Sequence, residues 1–306
     1  MSVRTDQGVS VVIATRSRPQ LLAKAVEACL SQEHAGPIEV VAVFDQSEPR
    51  SELCRDDADR QVRVTSNHRT PGLPGARNTG ILAATHDLVA FCDDDDLWLP
   101  GKLGRQVAAI RESGTRAAVT GIQVRYGERL RLRPLAPAPL RLADLVRDRV
   151  TSAHPSTYLA DRGFLIENDL LVDEKIPGGY AEDYDWLLRV AAHTDVAVVP
   201  EPMVEVLWHP GSFFTNRWTT IVEALDYLVD KHPYIRDDRA GLARIRGQQA
   251  FALAGLGRRR ESWRKLTETA RHNPRERRIL ATLPVLAGVV SGERVMRTAN
   301  HFGRGI

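Results

Sequence analysis

VSVVIATRSRPQLLAKAVEACLSQEHAGPIEVVAVF, residues 9–44, is the stretch from which the fold is read. Two short β-branched runs, VSVVIA (9–14) and IEVVAVF (38–44), flank PQLLAKAVEACLSQ (19–32), where apolar residues recur at helical spacing behind a proline suited to the first helical turn. That is a strand–helix–strand unit. QVRVT (61–65), GARNTGILAAT (75–85) and DLVAFC (87–92) repeat the pattern, which predicts an α/β fold with a mostly parallel sheet covered by helices on both faces. Ligands of such sheets collect beyond the carboxyl ends of the strands. Those ends are residues 15–18, Asp45, the loop over 67–75, and FCDDDDLWLP (91–100). Further on, the pattern predicts a helix over 102–113, a strand over AAVTGIQVRY (117–126), a proline-rich stretch over 134–139 and a less regular middle. From residue 219 it is helical, with an arginine-rich break at GRRRESWRK (257–265), so two regions are expected, 1–218 and 219–306.

Composition narrows the class. With 43% hydrophobic and 26% charged residues in 306, the chain reads as globular, and 42 basic against 39 acidic residues leave no field that calls for nucleic acid. Cys29, Cys54 and Cys92 are an odd number without CxxC spacing, which argues against a disulfide framework and a zinc site and fits a reducing cytoplasm. The start MSVRTDQGVSVV lacks the apolar core of a signal peptide, and the longest apolar run, ILATLPVLAGVV (279–290), falls short of the roughly 20 residues that span a bilayer. The chain is expected not to cross a membrane by itself.

The four aspartates, Asp93 to Asp96, carry the chemical signal. Carboxylates a few ångströms apart repel by about 4 kcal/mol per pair at an effective dielectric near 20, and a divalent cation removes that cost. Hard oxygen donors suit Mg²⁺ or Mn²⁺, which commonly complete their shells with substrate phosphate oxygens. The alternative is a solvated acidic turn capping the next helix. The position at the end of a parallel strand favours the metal reading, with Trp98 and Pro100 expected to anchor the turn against the core. A dinucleotide site fails, since ATRSRP after the first strand has none of the glycines of GxGxxG, and no GxxxxGK[ST] occurs. Phosphate charge must be met by metal and by basic side chains.

VVIATRSRPQLL, VFDQS, PGLPGARNTGI, FCDDDDLWLPGKL and GYAEDYDWLLRVA, in that order, resemble the family 2 glycosyltransferases of the GT-A fold over about residues 9–210. The resemblance implies a Rossmann-like sheet, a nucleotide-diphosphate-sugar donor and transfer with inversion. It places Thr15 and Arg18 in the loop lining the nucleotide pocket and Asp45 against the base, although an Asx turn in DQSEP explains Asp45 equally well. Arg77 and Asn78 match an ArN pair near the donor; Arg77 could instead pair with an aspartate of the acidic run. Asp93 and Asp95 match the DxD carboxylates, Asp95 being favoured as the direct metal ligand, Asp94 the spare, counted with Asp93 among the donor-binding residues, and Asp96 supporting; the sequence alone does not separate the four. Cys92 reads as core.

Donor binding leaves the attack unexplained. An acceptor hydroxyl needs a base within about 3 Å, opposite the leaving group. Asp183, with Glu182 beside it, matches that role at the start of a helix whose apolar stripe is Leu187, Leu188, Val190 and Ala191; helix capping is the competing account, and Asp185 reads as structural. The mechanism implied is a single displacement without a covalent intermediate. His209 matches a histidine that can complete a metal shell, and His154 is a weaker candidate.

Basic, partly amphipathic helices such as RGQQAFALAGLGRRRESWRKL could lie on an anionic membrane, pack as a solvated face or form a homodimer contact. Expected partners are the donor and a glycan, lipid-linked or small-molecule acceptor, at a cytoplasmic location reaching the inner membrane face. Two other functions compete: a catalytically silent nucleotide-sugar-binding scaffold in a glycan assembly complex, and a sugar nucleotidyltransferase, which would need a glycine-rich triphosphate loop that ATRSRP does not supply.

Overall fold

The computed structural model describes residues 6–208 and 217–301. The opening unit forms as read: β1 (Val9–Thr15) and β2 (Ile38–Phe44) are parallel and in register from Val9 opposite Ile38 to Thr15 opposite Phe44, joined through α1 (Pro19–Leu30). Pro19 opens α1, and Leu22, Ala25, Val26, Cys29 and Leu30 form its buried face. β3 (Arg60–Ser66) adds outside β2, and α2 (Leu73–Ala83) leads to β4 (Leu88–Phe91), which lies parallel to β1 on its other side. The carboxyl ends of these four strands therefore share one rim.

Beyond β4 the sheet is not parallel. β5 (Leu97–Trp98), α3 (Lys102–Ser113), β6 (Ala117–Tyr126), β7 (Arg129–Arg133), α4 (Leu142–Arg147), β8 (Leu159–Asp161), α5 (Arg162–Glu167), α6 (Glu182–Ala191) and β9 (Val196–Trp208) follow. The strand order is β3-β2-β1-β4-β8-β6-β9-β5, with β7 paired to β6. β8 runs antiparallel to both β4 and β6, so β6 keeps the direction of β4 while a reversed strand sits between them. The crossover through α3 was legible as strand–helix–strand; the three-residue strand LAD inserted into it carries no periodicity to read.

The chain forms two compact units. The first holds residues through Leu142, Val150–Glu174 and Glu182–Leu207; the second holds Ala143–Arg149, Lys175–Ala181 and the chain from Trp208. In the second, α7 (Trp218–Lys231), α8 (Pro233–Asp237), α9 (Arg239–Gly255), α10 (Arg259–His272), α11 (Arg277–Leu286) and α12 (Gly292–His301) follow one another. Phe251, Ala254 and Val285 form a buried cluster there, with Trp218, Ala281, Leu286, Val290, Val295 and Met296 packed around it. Among the described residues no helix is long and apolar enough to cross a membrane.

α2 lies so close to β1 that a Cβ on Gly80 would meet Val12 Cγ1 at 2.2 Å. Val12 is itself buried and β-branched, so it has little room to turn away. Gly80→Ala is expected to lower stability by about 1–3 kcal/mol, read as a shift in the urea midpoint with an unchanged slope.

Candidate active site

The acidic loop follows β4 on the shared rim, and each of its carboxylates has its own partner. Asp94 accepts from Thr15 Oγ1 at 2.7 Å and from Arg18 Nη1 at 3.2 Å, and Asp95 accepts from the same Nη1 at 2.8 Å. Arg77 Nη2 reaches Asp93 at 2.7 Å. Ser156 accepts the Asp93 backbone N–H and donates its hydroxyl to Asp96, whose carboxylate also lies 3.3 Å from His154 Nδ1. Burial pushes Asp94, Asp95 and Asp96 above the usual carboxylate range. For Asp95 and Asp96 the next cause is the charge of neighbouring aspartates, opposed in part by Arg18 at Asp95 and by the hydrogen bonds of Ser156 and the Leu207 N–H at Asp96.

Trp98 anchors this loop: it is buried, and its indole N–H donates to Ser156 O at 2.8 Å. The buried Lys102 ammonium lies 3.7 Å from the ring centroid and donates to Gln106, whose amide in turn holds Ala118 O and Thr157 O. Pro100, expected to share the anchoring, is exposed; it shapes the turn into Gly101, whose φ of 78° opens α3.

One residue joins the two acidic regions. Arg77 is buried and bonds Asp93 through one nitrogen and Glu182 through the other. Burial pulls its pKa down, but Glu182, Asp93 and Asp183 outweigh burial and hold it above its ordinary value. α6 is fixed in this position by Trp186, which stacks on Tyr158 at 5.0 Å, meets Phe91 of β4 edge-on at 5.4 Å and donates to Leu170 O. An aromatic cluster under the end of β4 thus brings the start of α6 to the aspartates. Asp183 is half-buried there, and its backbone carbonyl accepts from Tyr158 Oη. Glu182 is fully inside; burial pushes its carboxyl up to about 7 against the pull of Arg77, and its Oε2 has no hydrogen-bond partner among the described residues. Ala181, immediately before, has φ 62°, a left-handed conformation uncommon for a non-glycine residue. Asp185 is buried and paired with Arg189, as a structural residue should be.

On the β2 side Asp45 accepts from Asn67 Nδ2 at 2.8 Å, Gly72 N at 3.0 Å and Gln46 Nε2 at 2.9 Å. Burial works against its charge, and these bonds win, holding it below the usual value. Two of the three run to the 67–75 loop, so Asp45 ties that loop to the rim. Asn78 spends both amide hydrogens on Val172 O and Glu174 Oε1, and its Oδ1 accepts from Val172 N. It holds the 172–174 segment in place. Glu174 also takes Arg69 and Thr70, and these bonds bring its carboxyl down to about 2 despite burial.

Among the described residues Asp93, Asp96 and His154 each offer a donor atom within 4.8 Å of the others, the spacing of a cation site. Burial lowers the pKa of His154, which keeps its imidazole neutral, the form that binds metal. Two carboxylates and an imidazole suit Mn²⁺, and the uncompensated crowding around them fits a bound cation. Asp95, read from sequence as the direct ligand, is turned to Arg18 but adds its charge beside this group. His209 lies outside the described residues. Ser156 and Glu174 were not identified from sequence: both stand far from the motifs along the chain, and only the placement of β8 beside β4 and of 172–174 against α2 brings them in.

A model of the family described as Glycosyl transferase family 2 matches residues 10–164, just over half of the 306-residue chain. The chain belongs to glycosyl transferase family 2. It is 31% identical over 213 residues to the succinoglycan biosynthesis protein ExoO of Rhizobium meliloti (strain 1021), covering 66% of this chain and 60% of ExoO. S. aureus TarS 1-349, solved in complex with UDP, is similar at a TM-score of 0.61 and 17% identity, over 97% of this chain and 92% of that one. The mannosyltransferase PcManGT of Pyrobaculum calidifontis, solved with GDP-Man and Mn2+, is similar at 0.56 and 16% identity, over 96% of this chain and 84% of PcManGT. The architecture is that of the GT-A family 2 fold, a mixed sheet with flanking helices followed by a helical region.

Arg77→Met would strand Glu182 in the interior, and its cost should depend on pH. Because burial raises the Glu182 carboxyl from 4.5 to about 7, the stability it contributes is present below 4.5 and is lost as pH rises through 7. Arg77→Met is expected to cost about 3–5 kcal/mol at about pH 8, where Glu182 is charged, and less at about pH 5. Adding Glu182→Gln should recover much of the loss, measured by urea denaturation at both pH values.

Proposed function

We infer that the protein transfers a sugar from a nucleotide-diphosphate sugar to an acceptor hydroxyl, with inversion at the anomeric carbon. The observation that carries this reading is the Arg77 bridge, which brings Asp183 and the aspartate loop to one rim of the sheet. A donor site and a proton acceptor at one edge are what a single displacement needs. The family and the nucleotide-bound TarS and PcManGT support the donor class.

In this reading residues 15–18 and Asp45 line the nucleotide pocket. Ser17 (φ 55°) and Gln46 (φ 49°) hold left-handed backbone in those two turns, the kind of strain that ligand-binding loops retain. Asp93 and Asp96, with Asp95 beside them and His154 completing the set, would hold Mg²⁺ or Mn²⁺. When bound, such an ion stabilises negative charge on a departing diphosphate. Asp183 accepts the proton of the acceptor hydroxyl as its oxygen bonds to the anomeric carbon, and the bond from that carbon to the diphosphate oxygen breaks with its electron pair leaving on the nucleoside diphosphate. Glu182 and Arg77 position Asp183. Glycan, lipid-linked and small-molecule hydroxyls all satisfy this chemistry, and a cytoplasmic site gives access to nucleotide sugars.

Purified protein treated with a chelator should lose transfer from a panel of UDP-, GDP-, dTDP- and CDP-sugars and regain it with Mn²⁺. Asp183→Asn should lower turnover by about 10²–10⁴-fold while donor affinity, measured by calorimetry, is retained. Full turnover in Asp183→Asn contradicts the base assignment; turnover undiminished by the chelator contradicts the metal.

A further inference from the structure

Charge in this chain is segregated along its length. Residues 256–306 contain twelve basic and four acidic side chains, a net +8, whereas the 255 residues before them carry a net −5. The helices of the basic segment also expose apolar residues. In α11, Arg278, Thr282 and Val285 form the buried face. At 100° per residue, Leu280 and Leu283 lie on the opposite side, where a helix of a soluble unit ordinarily carries polar residues. Leu280 is 75% exposed, and Val289, just past the helix end, is 80% exposed.

Arginines border this face. A Cβ on Gly288 would lie 3.2 Å from Arg259 Nη2, so the start of α10 reaches the turn that carries Val289. Trp263, one turn along α10 from Arg259 and so on the same side of that helix, is 55% exposed. Arg277 stands at the edge of the apolar side of α11. Neither Arg259 nor Arg277 has an ion-pair partner among the described residues, in contrast to Arg258, Lys265 and Arg278, which do.

We propose that the outer face of α11, with the turn at Val289 and the start of α10, docks on an anionic lipid surface, Leu280, Leu283 and Val289 entering the headgroup boundary and Arg259 and Arg277 meeting lipid phosphates. Charge decides between occupants. A second copy would bring another strongly basic segment against this one, and a soluble polyanion would leave the leucines and Val289 in water. An anionic bilayer satisfies both halves of the surface. The attachment is peripheral, since no described helix can span a membrane.

The test is flotation of the full chain with vesicles of phosphatidylcholine alone or with about 30 mol% phosphatidylglycerol. No donor sugar is needed, so the result is independent of glycosyl transfer. The protein should float with the anionic vesicles, stay behind with the neutral ones, and be released by added salt. Leu280→Asp with Val289→Asp should lower partitioning at least about tenfold, with an unchanged thermal midpoint because both side chains are exposed. Arg259→Gln and Arg277→Gln should each lower it about fivefold. No flotation, equal flotation with neutral vesicles, or variants that partition like the parent would overturn the proposal. So would a concentration-dependent dimer abolished by the double aspartate variant without any vesicle binding, which would assign the face to a second copy.

Discussion

Arg77 is the constraint on which the active-site geometry depends. A guanidinium with almost no solvent contact holds Asp93 from the loop after β4 and Glu182 from the start of α6. Its planar fork holds two carboxylates through separate nitrogens in a fixed geometry, which the flexible point charge of a lysine would not reproduce. Removing a buried cation would leave buried anions unpaired, which is why the pair is costly to break even though ion pairs add little to stability on average. What it secures is relative position: two acidic groups more than eighty residues apart in sequence are held at one sheet edge.

Around this bridge the charge is only partly balanced. Arg18 serves two aspartates and Arg77 serves one aspartate and one glutamate, so two guanidiniums face more carboxylates than they can neutralise. Burial and mutual repulsion leave Asp95 and Asp96 raised. In the proposed function, a divalent cation bound at these acids would relieve that repulsion.

The strand–helix–strand start, the parallel half of the sheet and the aspartates at its carboxyl edge were legible because they rest on local periodicity and on charge that stands out from its surroundings. The reversed β8 was not, since three residues carry no period, and with it went the roles of Ser156 and the closeness of His154 to Asp96. Both readings of Arg77 were open from sequence; the structure shows the pairing with the acidic run and adds Glu182, a long-range contact that no local pattern encodes. Asn78 matched a donor-site motif by spacing, yet its amide hydrogens are engaged by Val172 and Glu174, so a motif position specified the residue without specifying what it touches. Pro100 was read as an anchor from its neighbour Trp98; only the indole is buried.

A crystal of the protein grown with Mn²⁺ and a nucleoside diphosphate, measured at the manganese absorption edge, addresses the electrostatic account most directly. The account predicts an anomalous peak within about 2.2 Å of an oxygen from the Asp93–Asp96 loop, with the diphosphate bridging it and the Asp183 carboxylate facing the same space. A bound nucleotide with no anomalous peak at that loop, or an Asp183 carboxylate turned away from the diphosphate into the protein interior, would contradict it.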